Sequence, residues 1–243
     1  MDTIKYKRIT LKLSGEALAS TTNQLFDSAI VQTLTAQIAQ LAAHKIQISI
    51  VPGGGNVFRG RNLSPAAQTM GLSNITADHV GMLATVINAL VLRDAFVNHN
   101  IPVNVYTPHR ISGLTEPYDR HQVLQALSNK TVAICAGGTG NPLVTTDTAA
   151  ALRAIELRAD VILKATNVDG VYDSDPSLNR NASRFEKLTF DEVMDKNLKV
   201  MDQTAFSLCR DHNIPIIVYN HKTPSTLERI VRGEQLGTII QCS

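Results

Sequence analysis

Two rhythms of apolar residues alternate along the chain. Short β-branched runs read as buried strands: "KRITLKL" from Lys7, "IQISIV" from Ile46, "IPVNVYT" from Ile101, "TVAICA" from Thr131, "DVILKAT" from Asp160, "IPIIVYN" from Ile214 and "GTII" from Gly237. Between them lie longer stretches with helical spacing. In "SAIVQTLTAQIAQLAAHK", Ile30, Leu34, Ile38 and Leu41 share one side. "DHVGMLATVINALVLRDAFVNHN" is apolar nearly all round, which predicts a helix buried between layers. "RHQVLQALSNK", "TDTAAALRAIELRA", "TAFSLCRDHN" and "TPSTLERIVRGE" complete the alternation. Helices alternating with short strands predict an α/β fold, with a mainly parallel sheet covered by helices on both faces.

In such sheets ligands bind beyond the carboxyl ends of the strands. Four loops occupy that position: "KLSGEAL", "PGGGNVFRG", "GGTGNPLVTTD" and "TNVDGVYDSDP". Each combines glycine with hydroxyl or amide side chains and a nearby Lys, Arg or Asp. A lone glycine after a strand is usually a turn device. Four of them at one sheet edge suit a phosphate, whose oxygens need bare backbone N–H groups and fixed cations. Lys12 with Ser14 and Gly15, Gly53–Gly55 with Arg59, and the helix start at Thr146 or Asp147 are the groups that could supply them. Asp147 could cap that helix, or orient a lysine or touch magnesium.

Composition narrows the class. An apolar fraction of 44% with 18% charged residues suits a globular enzyme, and a net charge of +2 with no Trp gives no argument for nucleic acid, so no such partner is expected. No apolar run approaches the length of a bilayer span, so no membrane partner is expected, and the charged N-terminus is no secretory signal. Cys135, Cys209 and Cys242 lack paired spacing, as reduced thiols of a cytoplasmic protein would. The histidines have no ligand spacing, so no protein-held metal is expected. No GxxxxGK[ST], GxGxxG, GxSxG or HExxH occurs, which leaves a phosphate site built without a P-loop.

"LKLSGEAL", "GGGNVFRG", "DHVGMLATVINAL", "GTGNPLVTTDTAA", "LKATNVDGVYDSDP" and "LKVMDQTAF" together resemble the bacterial uridylate kinases of the amino-acid-kinase superfamily. The likeness runs from about Lys7 to the end. It implies a three-layer α/β/α sandwich forming a single domain over 1–243, with the acceptor part at about 1–160 and the ATP part at about 161–243. It implies transfer of the γ-phosphate of ATP to UMP in pyrimidine nucleotide biosynthesis, with Mg²⁺ carried by ATP. A homohexamer and feedback inhibition by UTP are implied as well. The glycine-rich element that many members carry after "SGEAL" is missing from "ASTTNQLFDSAI", which puts activation by GTP in question. A sister kinase for a carboxylate or carbamate acceptor, and a non-catalytic storage protein, are the alternative readings.

Carried over by motif, Lys12, Arg59 and Asp147 are the catalytic set. UMP falls to Gly54, Asp78, Thr139, Gly140, Asn141, Pro142, Leu143, Val144, Thr145 and Thr146. ATP falls to Lys12, Leu13, Ser14, Gly15, Gly55, Arg59, Lys164, Thr166, Tyr172 and Asp175. Asp202 is either a helix cap or a secondary site residue. Asp191 and Glu192 open a helix and carry no chemistry, and Met70 and Met82 read as core or subunit-contact residues.

Overall fold

The computed structural model describes residues 4–19, 24–58, 71–179 and 181–243. Arg59, Met70 and most of the loop after Gly60 lie outside the described residues. Strand β1 (Arg8–Leu13) ends in a short 3-10 turn and leads to helix α1 (Ser28–Ala43), β2 (Gln47–Pro52) and α2 (Asn74–Val97). Then follow β3 (Val103–Thr107), β4 (Glu116–Pro117), α3 (Arg120–Ser128), β5 (Val132–Cys135), α4 (Thr146–Glu156) and β6 (Val161–Thr166). The remainder comprises β7 (Val171–Tyr172), β8 (Arg184–Phe185), β9 (Lys187–Thr189), α5 (Phe190–Asp195), α6 (Gln203–Asp211), β10 (Ile216–Asn220), α7 (Thr226–Val231) and β11 (Thr238–Gln241).

The main sheet has the order β4-β3-β5-β2-β1-β6-β10-β11-β9, and β7 and β8 form a separate hairpin. Its pairings are parallel except β10 with β11, as the alternation of strands and helices predicts. Period-2 geometry divides the core into two layers. Ile9, Leu11, Leu13, Leu163, Ala165, Ile217 and Tyr219 pack with α1, α2 and α7. Ile162, Ile216 and Val218 pack on the other face with α4, α5 and α6. The three-layer sandwich therefore stands. The two-residue strands β4, β7 and β8 and the three-residue strand β9 were not legible, because periodicity needs more residues than they contain.

The parity of β1 and β6 has a direct consequence. With Leu11 and Leu13 committed to the α1 and α2 side, Lys12 must project toward α4. Lys12 and Lys164 are in-register neighbours across β1 and β6, so two lysines share that face. The four glycine-bearing loops follow β5, β2, β1 and β6, which are consecutive neighbours in the sheet. Their carboxyl ends therefore open on one edge, and β1 marks the point where chain order reverses.

Helix α2 corrects the sequence reading. It starts four residues earlier than expected, at Asn74, where the Ser73 hydroxyl accepts from the Thr76 amide at 3.1 Å. By length and composition it could cross a membrane, yet one of its faces packs on the sheet through Val86, Ala89, Leu92 and Phe96. The other face is not buried: Ile75, Leu83, Ile87 and Val97 are exposed.

The far end of α4 is anchored by a buried charge. Arg153 pairs with Glu156 at 2.6 Å and lies 3.6 Å over the Tyr118 ring, whose hydroxyl donates to Glu156 at 2.7 Å. Pairing and stacking together satisfy a guanidinium that burial would otherwise penalise.

Gly237 shows where close packing demands glycine. Its φ is +79°, and a methyl carbon there would stand 2.1 Å from the Val218 carbonyl oxygen. Gly113 has φ +78° but faces open space. We expect Gly237→Ala to lower unfolding free energy by more than about 2 kcal/mol and Gly113→Ala by only about 1 kcal/mol, as read from urea midpoints.

Candidate active site

Asp147 stands at the centre. It lies in the first turn of α4, but it does not cap the helix, and neither does Thr146. The cap is Thr145, whose hydroxyl accepts from the amides of Asp147 and Thr148 at 3.1 and 3.3 Å. Freed from capping, the Asp147 carboxylate bridges two ammoniums: Lys164 Nζ is 2.8 Å from Oδ2 and Lys12 Nζ is 3.2 Å from Oδ1. The Lys12 contact is an ion pair without hydrogen-bond geometry, which leaves buried Oδ1 without a hydrogen-bond partner. Lys164 also donates to the Val200 carbonyl. Lys12 itself is only 4% exposed.

Burial pushes the Asp147 carboxyl up, but Lys12 and Lys164 outweigh it and hold the pKa down at about 2. Burial lowers the Lys164 ammonium, with Asp147 opposing and Lys12 adding to the effect. Two cations around one anion leave a net positive charge at the sheet edge, where incoming negative charge is stabilised.

Three cavities line this edge. The first, of about 620 Å³, is bounded by Gly54, Gly55, Asp78, Leu143, Val144, Thr145 and Thr146 among others. The second, of about 450 Å³, contains Thr145, Asp147, Lys164 and Asp202. The third, of about 470 Å³, contains Thr166, Tyr172 and Asp175. The second shares Thr145 with the first and the segment 197–200 with the third, so the three adjoin in a row, a trench in three compartments. Thr139, Gly140, Asn141 and Pro142 belong to the same loop as Leu143 but lie outside the trench lining. Leu13 lines a separate small cavity. Ser14 caps the 3-10 turn, accepting from the Ala17 amide at 3.1 Å.

The glycines divide into two groups. A methyl on Gly15 would stand 2.3 Å from the Gly55 nitrogen, and one on Gly54 would stand 2.8 Å from Ala84 Cβ and the Gly81 oxygen. Those positions are explained by the backbones of two loops and α2 meeting. At Gly55 nothing lies within 4 Å of such a methyl, so packing does not require glycine there and the space opens into the first cavity.

Asp78 Oδ2 accepts from the Leu143 amide at 2.7 Å, tying α2 to the loop after β5. Asp202 caps α6 by accepting from the Ala205 amide at 2.8 Å, and it also accepts from the hydroxyls of Thr145 and Thr148 on α4. The cap reading of Asp202 holds, with a second duty that sequence could not show. Asp191 and Glu192 open α5, with Glu192 completing a capping box. Met82, read as core or contact, lines the first cavity. Glu16, Phe58, Thr85 and Gly138 were missed there, and Asn197–Val200 in the other two cavities.

The sign of the Asp147 shift sets an acid dependence. A depressed carboxyl stabilises the fold above its ordinary pKa of 3.8, and that contribution is lost as pH falls toward about 2. We expect Asp147→Asn to be less stable than wild type at neutral pH, with the gap in urea midpoint narrowing between about pH 4 and pH 2.

The amino acid kinase family model matches residues 7–220. The uridylate kinase of Ectopseudomonas mendocina is 49% identical over 98% of this chain and 94% of its own length. That of Legionella pneumophila strain Paris is 48% identical over the same shares. Among solved structures, the UMP kinase of Bacillus anthracis superposes with a TM-score of 0.92 at 41% identity, covering 97% of this chain and 96% of its own. The UMP kinase of Ureaplasma parvum gives 0.89 at 35% identity, covering 98% and 100%. With a fold, a site edge and near-complete matches in agreement, the chain belongs to the amino acid kinase family, in its uridylate kinase branch.

Proposed function

We propose that this chain is a UMP kinase that transfers the γ-phosphate of ATP to UMP, giving UDP and ADP. The observation that carries the reading is the row of three adjoining cavities whose middle member holds Lys164 and Asp147, with Lys12 paired to that same carboxylate. The trench has room for a nucleotide at either end, so that their phosphates meet beside two lysines.

The acceptor takes the cavity of Gly54, Gly55 and Asp78. The carboxylate of Asp78 suits ribose hydroxyls, and the absence of a side chain at Gly55 leaves room for a phosphate. ATP takes the cavity of Thr166, Tyr172 and Asp175. This division supports an acceptor part at about 1–160 and an ATP part beyond it within one domain. The acceptor phosphate is ionised near neutral pH, so its oxygen attacks without a general base. What remains is alignment and charge neutralisation. Lys12 and Lys164 supply fixed positive charge, and Asp147 holds both in place. By the resemblance, Arg59, outside the described residues, would add a guanidinium that can fork onto phosphate oxygens.

Mg²⁺ bound to ATP would neutralise part of the triphosphate charge. Among the described residues no group of three potential metal ligands exists. Asp147 Oδ1, buried beside Lys12 and lacking a hydrogen-bond partner, is a group that an ion arriving on the nucleotide could meet. UTP, which shares base and ribose with UMP, fits the acceptor cavity as a competing inhibitor. The exposed apolar stripe of α2 supports an oligomer, and we favour the homohexamer.

Steady-state ADP release with UMP, CMP, acetylglutamate and carbamate tests the reading, with UMP expected to be the preferred acceptor. Lys12→Met and Arg59→Ala should each lower kcat by roughly 10²–10³, and near-normal turnover would remove that residue from the mechanism. Light scattering should report six chains, and Leu83→Asp should reduce that number.

A further inference from the structure

Helix α2 is apolar over most of its length, yet two polar side chains are almost wholly buried on its sheet-facing side: Thr85 at 1% exposure and Asn88 at 0%. A buried amide or hydroxyl is tolerated only when it is bonded, and each of these is bonded to a different loop of the trench. Asn88 Nδ2 donates to the Gly53 carbonyl at 2.6 Å and to Asn56 Oδ1 at 2.7 Å. Asn56 Nδ2 donates back to Asn88 Oδ1 at 3.0 Å and to the Leu25 carbonyl at 2.8 Å. All four amide hydrogens of the pair are thereby used. One helical turn away, Thr85 Oγ1 accepts from the Gly137 amide at 2.7 Å and donates to the Met82 carbonyl at 2.7 Å.

Gly53 begins the loop after β2, and Gly137 lies in the loop after β5, its neighbour in the sheet. Gly81 and Ala84, on the same side of α2, approach Gly54 so closely that a methyl there would collide with both. One short segment of helix therefore sets the spacing of two loops that border the acceptor cavity.

We infer that Thr85 and Asn88 are positioning residues for phosphoryl transfer, holding the Gly53–Asn56 corner and the Gly137 loop at a fixed separation. The inference rests on the kinase reading above. Neither side chain needs to touch the reacting atoms. Asn88 sets where the glycine corner presents its backbone to phosphate. Thr85 sets where the acceptor loop begins. A slack corner misaligns the donor and acceptor phosphates, whereas a slack loop weakens acceptor binding.

That division is measurable by separating kcat from KM, which a purely structural role would not do. Thr85→Val keeps the shape of the side chain but removes the acceptor. It should raise KM for UMP about 10-fold, leave KM for ATP within roughly twofold, and be rescued by Thr85→Ser. Asn88→Asp keeps the shape but removes both donors, and should lower kcat roughly 100-fold in protein that circular dichroism and urea midpoints show to be folded at assay temperature. If Asn88→Asp does not fold, Asn56→Asp, on the half-buried corner, carries the same expectation. Folded variants with wild-type constants would overturn the inference while leaving the kinase reading intact. Wild-type protein inactive on UMP would overturn that reading and the inference with it.

Discussion

One carboxylate between two ammoniums organises the site. Adjacent parallel strands bring Lys12 and Lys164 into register, and both strands have spent their other face on the α1 and α2 core. Two buried cations side by side repel in a medium that screens them poorly. Asp147, delivered by the first turn of α4, makes the arrangement tolerable, and it lines the second cavity together with Lys164. Its position depends on Thr145 taking the cap and on Asp202 bonding Thr145 and Thr148 from the neighbouring helix. The net positive charge at this edge is therefore an outcome of packing between layers.

Glycine at this edge serves two purposes. Gly15 and Gly54 let loops and helix come together backbone to backbone, with no room for a methyl group. Gly55 has the room and faces the cavity. A run of three glycines thus combines a packing requirement with open space at a cavity wall. The Asn56–Asn88 amide pair closes the inner side of this corner, so its backbone is held before any ligand arrives.

Much of the fold was legible because the central strands β1, β2 and β5 are buried on both faces and helices such as α1 carry a one-sided stripe, patterns that depend on neighbours in sequence. The strand-end rule located the four loops, and the sheet order made them neighbours. The resemblance to uridylate kinases added residues that spacing could not identify, such as Asp78. Helix α2 was misjudged because apolar residues all round a helix do not say whether sheet or solvent covers each side; Leu83 and Ile87 are exposed. Thr85 and Asn88 left only a faint trace, two polar residues three positions apart beside Gly81 and Ala84 in an otherwise apolar helix.

The sequence by itself determined the order of strands and helices, the side of β1 on which Lys12 falls, and the presence of bare backbone after the strands. These follow from local periodicity and from the missing Cβ of glycine. Only the tertiary structure decided that Thr145 and not Asp147 caps α4, that Lys12 and Lys164 share one carboxylate, and that α2 holds two loops through Thr85 and Asn88. Those contacts join residues far apart in the chain, and their partners are chosen by strand register and layer packing, which no short stretch of sequence contains.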